Sequence, residues 1–494
     1  MPGALTVSSA VARYDDRMIV TLLLLVGCFD ERPAEPITEA GAESTSEATP
    51  AVDVLLVVLD TVRADAVGAY GYERDTTPHF DRLASRGVLF EDVTVSGTWS
   101  WPSHASMFTG EPPWVHGAHF AAGEDSDAYE ADNGDATITA MRADLPTLAE
   151  RFTDAGYRSV CVTGNHWLKR GVGLDRGFEE VLFAEQGERV TDHAREVILS
   201  EDPRPLFLVV NLFDVHAPYE IRGASWLRGR PDLTHAGAPG WLTPYLTEDG
   251  RKLNLYQGDG EANGMVAFSR GELAIPAEGL ALLRDVYDGE VWHIDQLLGR
   301  VLKQWRGRSR RVVAVTSDHG EYLGERGRLD HGRSVYPEVS AVPLVVAAEG
   351  FGGGERVATP VQLEAIPDTL LELAGLAGGP RSLVAVAAGG AGPASIQSAS
   401  WADALWAREI GAPHHLGERL YRVGDEAVVI RGDKLSYYRL AEDPGMTRDA
   451  RAAFPERAAA LAAEAEEAFP EAAAERLELT DADASALRAL GYLE

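Results

Sequence analysis

Cysteine is almost absent from this chain, with Cys28 and Cys161 the two instances among 494 residues. Two cysteines cannot build a multi-bridge disulfide framework or an all-cysteine zinc site. Cys161 lies inside the apolar run "YRSVCVTGN" and reads as a buried strand residue, so neither a disulfide nor a cysteine metal site is expected. Positive charge is also scarce. Forty-five Lys and Arg against 77 Asp and Glu leave a formal net charge of −32. Such a chain repels polyanions, which excludes nucleic acid as a partner and argues against binding to an anionic membrane surface. Long apolar runs are missing as well: the stretch in "RMIVTLLLLVGCFD" is too short to cross a bilayer. No internal repeat is visible. What remains is ordinary globular composition, 45% hydrophobic and 25% charged, with length enough for a large core and an appended subdomain.

The same N-terminal stretch has a basic residue, a short apolar segment and then Leu25-Val26-Gly27-Cys28. It resembles a bacterial lipoprotein signal peptide with its lipobox, which implies that Cys28 is lipidated and becomes the mature N-terminus. Residues 1–28 are therefore expected to be a signal peptide. The protein is expected in the bacterial periplasm or cell envelope, touching membrane only through a lipid anchor at Cys28. Residues 29–51 are rich in Pro, Ala, Ser, Thr and Glu without apolar periodicity, and read as a disordered tether. A second compositional break at 376–400, rich in Gly and Ala, reads as a linker separating a main domain, 52–375, from a C-terminal subdomain, 401–494.

Four apolar runs, "VDVLLVVLD", "YRSVCVTGN", "PLFLVVNLFD" and "RRVVAVTSD", are short, β-branched and non-alternating, as strands buried on both faces should be. Helical segments separate them. "TTPHFDRLASRG" offers Thr77 as cap, Pro78 in the first turn and Gly87 as stop, and "LPTLAERFTDAG" ends similarly at Gly156. "EGLALLRDVYDGEVWHIDQLLGRVLKQW" predicts a long amphipathic helix with Leu283, Tyr287, Ile294, Leu298 and Val301 on one stripe. The expected fold is α/β: a mostly parallel central sheet sandwiched by helices, with a smaller C-terminal α+β subdomain. In that subdomain "RLYRVGDEAVVIRGDKLSYYRLAEDPG" alternates like a small antiparallel sheet, and "PERAAALAAEAEEAF" reads as a surface helix.

Each of the four runs leads straight into polar residues: Asp60, then Asn165-His166, then Asp214 and His216, then Asp318-His319. In open α/β sheets, sites form outside the carboxyl ends of the strands, so these residues are expected to converge. In "SGTWSWPSHASMFTG", Pro102 suits a first helical turn, which places Ser100 at the positive end of a helix. A hydroxyl there, beside a divalent cation, can be deprotonated and attack phosphorus or sulfur.

Taken together, "VVLDTVRADAVGAYGY", "TTPHFDRLASRGVLFEDVTV", "SWPSHASMFTG", "LFDVHAPY", "TSDHGEYLGERG", "HGRSVYPEVSAVPLVV", "LAEDPGMTRD" and "LRALGYLE" resemble the motifs of the sulfatase family of the alkaline phosphatase superfamily. By position, the resemblance implies Asp60, Ser100, Asp318 and His319 as metal ligands and Ser100 as nucleophile. It implies His216 near the leaving group, and His331 at the place of a second basic residue that grips the anionic group. Arg63 matches a basic residue of the first motif, and His116 in "PPWVHG" is a candidate for the rim. The family signature is cysteine-x-proline-x-arginine, with the cysteine oxidised to formylglycine. Here Ser100 and His104 stand at its ends, which makes His104 a candidate catalytic residue and formylglycine at Ser100 one possibility. Thr61 stands where the family has a second aspartate, and His319 where it has asparagine. The oxygen-rich donor set with one nitrogen favours Mn²⁺ or Zn²⁺ for a single divalent ion, with Ca²⁺ or Mg²⁺ also compatible. A second metal drafting Asp214, His216 and His331 is the lesser reading. The implied substrate is a small-molecule or glycan sulfate or phosphate ester. The insertion at about 220–277, with Trp226, Trp241 and Tyr245, reads as a substrate-facing lid. The alternatives are a phosphoester hydrolase or phosphoglycerol-type transferase acting on envelope molecules, and a catalytically inactive binding protein on the same fold.

Overall fold

A computed structural model describes residues 52–119, 138–169, 173–221, 246, 252–254, 264–401 and 417–470. The strand β1 (Asp53–Leu59) is buried along its whole length. Its side chains alternate between two cores: Val54, Leu56 and Val58 join one hydrophobic cluster, and Leu55, Val57 and Leu59 join the other. A strand whose two faces both need apolar cover cannot afford a polar alternation, which is why the run reads as continuous.

The central sheet has eight strands. In chain order they are β1, β2 (Val88–Phe90), β3 (Arg158–Thr163), β4 (Glu180–Phe183), β5 (Leu206–Leu212), β6 (Arg311–Thr316), β7 (Leu344–Ala348) and β8 (Glu355–Val357). The spatial order is β8-β2-β7-β6-β1-β5-β3-β4. The four expected strands lie side by side and parallel as β6-β1-β5-β3, and β7 alone runs antiparallel to its neighbours. The mostly parallel sandwich expected from the sequence is therefore the observed fold.

Helices cover both faces: α1 (Pro78–Ala84), α2 (Ser100–Thr109), α3 (Leu148–Asp154), α4 (Gly187–Ile198) and α5 (Ala277–Trp305). A capping box starts α3, with Thr147 accepting from the Glu150 amide and the Glu150 side chain accepting from the Thr147 amide. All five residues of the stripe read on α5 are buried. The first turn of α1 is held from another element: the Asp295 carboxylate, on α5, accepts the His79 and Phe80 amides at 2.9 Å each.

The C-terminal sheet runs β9 (Ile396–Ala399), β10 (Glu418–Val423), β11 (Glu426–Arg431) and β12 (Lys434–Arg439), all antiparallel. The alanine-rich segment forms a helix, Pro455–Ala468, that lays Ala458, Leu461 and Ala465 on Val428, Ile430 and Tyr437. Small side chains let it sit close to the sheet. Buried Glu418 ties this sheet to the main body through Arg328 at 3.0 Å and the Ser334 hydroxyl at 3.0 Å.

The linker reading of 376–400 is corrected. Residues Leu383–Ala387 form a helix whose Leu383 and Val386 enter the main core, and Ile396–Ala399 is a strand of the C-terminal sheet. The described residues all belong to one compact unit. The signal peptide with Cys28, the tether, Trp226, Trp241, Tyr245 and "LRALGYLE" lie outside the described residues.

Candidate active site

The site is built at the carboxyl ends of β1, β3, β5 and β6. Asp60 follows β1, Asn165 follows β3, Asn211 sits near the end of β5, and Asp318-His319 follow β6. Ser100 opens α2, where unpaired backbone N–H groups and the helix dipole favour negative charge. All of these residues are fully buried.

Asn165 is the hub. Its side-chain amide donates to Asp60 Oδ2 at 2.8 Å and to Ser100 Oγ at 2.9 Å, while its Oδ1 accepts the Trp167 amide at 2.9 Å. Asn211 also donates to Asp60 Oδ2, at 3.1 Å. Asp318 Oδ1 accepts the Thr61 and His319 amides at 3.2 and 3.0 Å. One oxygen of each carboxylate, Asp60 Oδ1 and Asp318 Oδ2, is buried without a hydrogen-bond partner. Burial, with the Asp318 charge second, pushes the Asp60 pKa up to about 7. Burial likewise raises Asp318 to about 7. Two buried carboxylates with an orphaned oxygen each are costly unless a cation accompanies them.

The histidines complete the argument. His319 Nδ1 faces the Gly320 carbonyl at 3.0 Å, so that nitrogen carries the proton and Nε2 presents a lone pair. Nε2 lies 3.4 Å from Ser100 Oγ and 3.3 Å from Asp318 Oδ2. Asp60, Asp318 and His319 each offer a ligand atom within 4.8 Å of the others. The orphaned oxygens, the tautomer and the spacing all fit a divalent ion at this place. Burial holds His319 down at about 3, as it does His104.

His104 Nδ1 donates to the Ser100 carbonyl at 2.9 Å, and its Nε2 accepts from Asn211 at 3.3 Å. It shapes the floor under Ser100. His331 Nδ1 faces two carboxylates, Asp330 Oδ1 at 3.1 Å and Glu321 Oε1 at 3.2 Å. Its ring lies 4.2 Å from that of His319 and 5.0 Å from that of His216. His216 Nδ1 donates to the Ala217 carbonyl at 2.6 Å, and the ring stacks on Phe213. Burial lowers His216 and His331 to about 4. The predicted residues Asp60, Ser100, His104, His216, Asp318, His319 and His331 are thus gathered at one end of the sheet.

Other sequence candidates sit elsewhere. Asp214 groups with Glu188 and His293, 3.6 Å from the latter's Nε2, in a second cluster of possible metal-ligating residues. His116 accepts the Ala118 amide at Nδ1 and contacts Ser106 at Nε2, which makes it a structural residue of the loop after α2. Arg63 pairs with Asp65 and Glu325, bracing the turn after β1. Thr61 in that turn has φ +56°, a left-handed conformation that disfavours β-branched side chains. Tyr287 pins it by donating to the Thr61 carbonyl at 2.8 Å. Asn165 is one of the strand-end residues expected from sequence to converge here, and Asn211 is a member of the site that sequence reasoning misses. The signal for Asn211 is a single amide inside an otherwise apolar buried strand.

A family model described as Sulfatase matches residues 53–376. A sulfatase of Formosa agariphila is 24% identical over 368 residues, covering 66% of this chain and 69% of that protein. Iduronate 2-sulfatase of Homo sapiens is 24% identical over 361 residues, covering 63% of this chain and 62% of its own length, less than two thirds. Among solved structures, a phosphonate monoester hydrolase from Silicibacter pomeroyi shares the fold with a TM-score of 0.61 at 19% identity, over 85% of this chain and 94% of that one.

Proposed function

From the premise that this chain belongs to the sulfatase family and is a hydrolase of sulfate or phosphate esters, we propose that Ser100 is its nucleophile and that Asp60, Asp318, His319 and the Ser100 oxygen hold one divalent ion. The observation that carries this reading is Ser100 Oγ, held by Asn165 at the first turn of α2, beside His319 and two half-satisfied buried carboxylates. When bound, the ion supplies Lewis-acid polarisation of an ester oxygen and lowers the pKa of the neighbouring hydroxyl.

The chain's own residues then divide the work. Neutral His331, with its Nδ1–H held by Asp330 and Glu321, takes the Ser100 proton at Nε2. The two carboxylates stabilise the imidazolium that results. Ser100 Oγ bonds to sulfur or phosphorus as the S–O or P–O bond of the ester breaks, and the alcohol oxygen leaves on the opposite side, taking its proton from water. His216, whose Nδ1–H goes to the Ala217 carbonyl, is assigned to orienting the ester group. His104 and Asn165 hold Ser100 in place. The hydroxide left from that water attacks the sulfur or phosphorus, the bond to Ser100 Oγ breaks, and Oγ takes back its proton from His331.

Sulfate monoesters of small molecules or glycans are the first reading of the substrate. Phosphate or phosphonate monoesters are the second, favoured by Ser100 and His319 at positions where the family signature has cysteine and asparagine. Mn²⁺ or Zn²⁺ fits the three-oxygen, one-nitrogen set best. Extracytoplasmic location through lipidated Cys28 is part of the same proposal. The test is the mass of the peptide bearing Ser100, followed by kcat on aryl sulfate, phosphate and phosphonate esters. Loss of two hydrogens marks formylglycine and sulfate esters, and intact serine directs the assignment to phosphorus esters. Full turnover by Ser100→Ala would refute the nucleophile.

A further inference from the structure

At the end of the sheet opposite Ser100 lies a cavity of about 410 Å³. Arg311 begins β6, whose far end leads to Asp318, and Ala347, Ala348 and Glu349 close β7, which runs the other way. The walls come from α1 and from the last turn of α5. Five arginines line the cavity, Arg82, Arg86, Arg306, Arg310 and Arg311, against a single acid, Glu349. In a chain of net charge −32 this is a concentrated reversal of sign.

Three of the five are not consumed by ion pairing. Glu349 approaches only Arg310, at 3.9 Å, and is itself 81% exposed. Arg311 spends its guanidinium on the Arg308 and Arg306 carbonyls. Among the described residues, Arg82, Arg86 and Arg306 make no ion pair. Cations do favour helix C-termini, and α1 and α5 both end here. That interaction contributes about 0.3–1 kcal/mol per terminus and accounts for one cation at each end rather than for five.

A second observation is independent of charge. Trp305 lines the same cavity and is 1% exposed, yet its indole Nε1–H is buried without an acceptor. His79 forms another wall. Its ring lies flat against α5 at Gly299, where an added Cβ would come within 2.7 Å of three ring atoms.

We propose that this cleft is a binding site for an oligoanion carrying two or more sulfate or phosphate groups, gripped by Arg82, Arg86 and Arg306, with Trp305 and His79 as its walls. The site stands apart from the catalytic end, so it does not depend on the proposed hydrolytic role. Several guanidiniums spaced around one cavity match a ligand with several anionic groups better than one inorganic ion.

The test is isothermal titration of the whole protein with sucrose octasulfate, inositol hexakisphosphate and inorganic sulfate at low and physiological salt. The first two arms separate sulfate from phosphate ligands. Saturable binding of at least one oligoanion, weakening with salt and much weaker for inorganic sulfate, is the expected result. Arg82→Gln with Arg306→Gln, both exposed positions, lowers affinity by about tenfold or more, as loss of two charged hydrogen-bond donors requires. Asp318→Asn, at the catalytic end, leaves the titration unchanged. Binding that survives the double arginine substitution, or that is lost in Asp318→Asn, places the anion at the catalytic end and overturns the proposal. So does failure of both oligoanions to bind.

Discussion

Replacing Asn165 by alanine removes one side-chain amide that serves Asp60 and Ser100 together. A hydrogen bond to a charged group contributes about 1.5–3 kcal/mol net. The bond to Ser100 Oγ has that character once the hydroxyl is losing its proton, so its loss falls on the transition state. At about 1.4 kcal/mol per factor of ten, Asn165→Ala should lower kcat about 10- to 100-fold, with KM little changed. The lost cap at the Trp167 amide adds a stability cost of about 1 kcal/mol. Asn165→Asp keeps an acceptor for Trp167 but sets carboxylate oxygens against Asp60, and should be at least as slow as the alanine variant. The assay is steady-state turnover of an aryl ester at saturating metal, with melting temperature measured alongside. If Asn165→Ala turns over within about twofold of the parent, the amide does not position the nucleophile and the arrangement of the site has been misread.

Asp318→Asn should cut the bound divalent ion per chain from near one to a small fraction, read by metal analysis after gel filtration. Undiminished metal would place the ion elsewhere. Asp295 gives a pH test. Burial raises its pKa to about 7, so between about 4 and 7 the folded state binds more protons than the unfolded one. Its contribution to stability is therefore full below the ordinary carboxylate range and declines as pH rises to about 7. Asp295→Asn cannot ionise, so parent minus variant stability should fall over that window, and a flat difference in urea midpoints would contradict it. Gly299→Ala should destabilise by about 1 kcal/mol. The helix-propensity gain is about 1 kcal/mol, against about 1–3 kcal/mol for overpacking the His79 ring; a raised melting temperature would show that the ring simply moves aside.

The strands and most of the site were legible because their physics is local. Continuous β-branched runs announce burial on both faces, and polar residues directly after them announce the carboxyl edge, which brought Asp60, Asp318 and His319 within reach of one another. Two kinds of feature were not legible. Asp214 shares its strand end with His216, yet one residue's rotation around the turn sends it to Glu188 and His293. The Gly- and Ala-rich stretch reads as a linker by composition, but two side chains, Leu383 and Val386, are enough to anchor it in the core. The strand at Ile396–Ala399 has its partner more than a loop away in sequence, at Glu418–Val423, and nothing local reports that pairing. The basic cleft was hidden for the same reason: its arginines come from segments that overall charge averages away.

The Thr61 amide reaches Asp318 across 257 positions of sequence. A chain interrupted anywhere short of Asp318 lacks one wall of the proposed ion site, however well its earlier strands have formed. On the proposed assignment the site is thus incomplete until nearly two thirds of the polypeptide has been threaded into a single sheet.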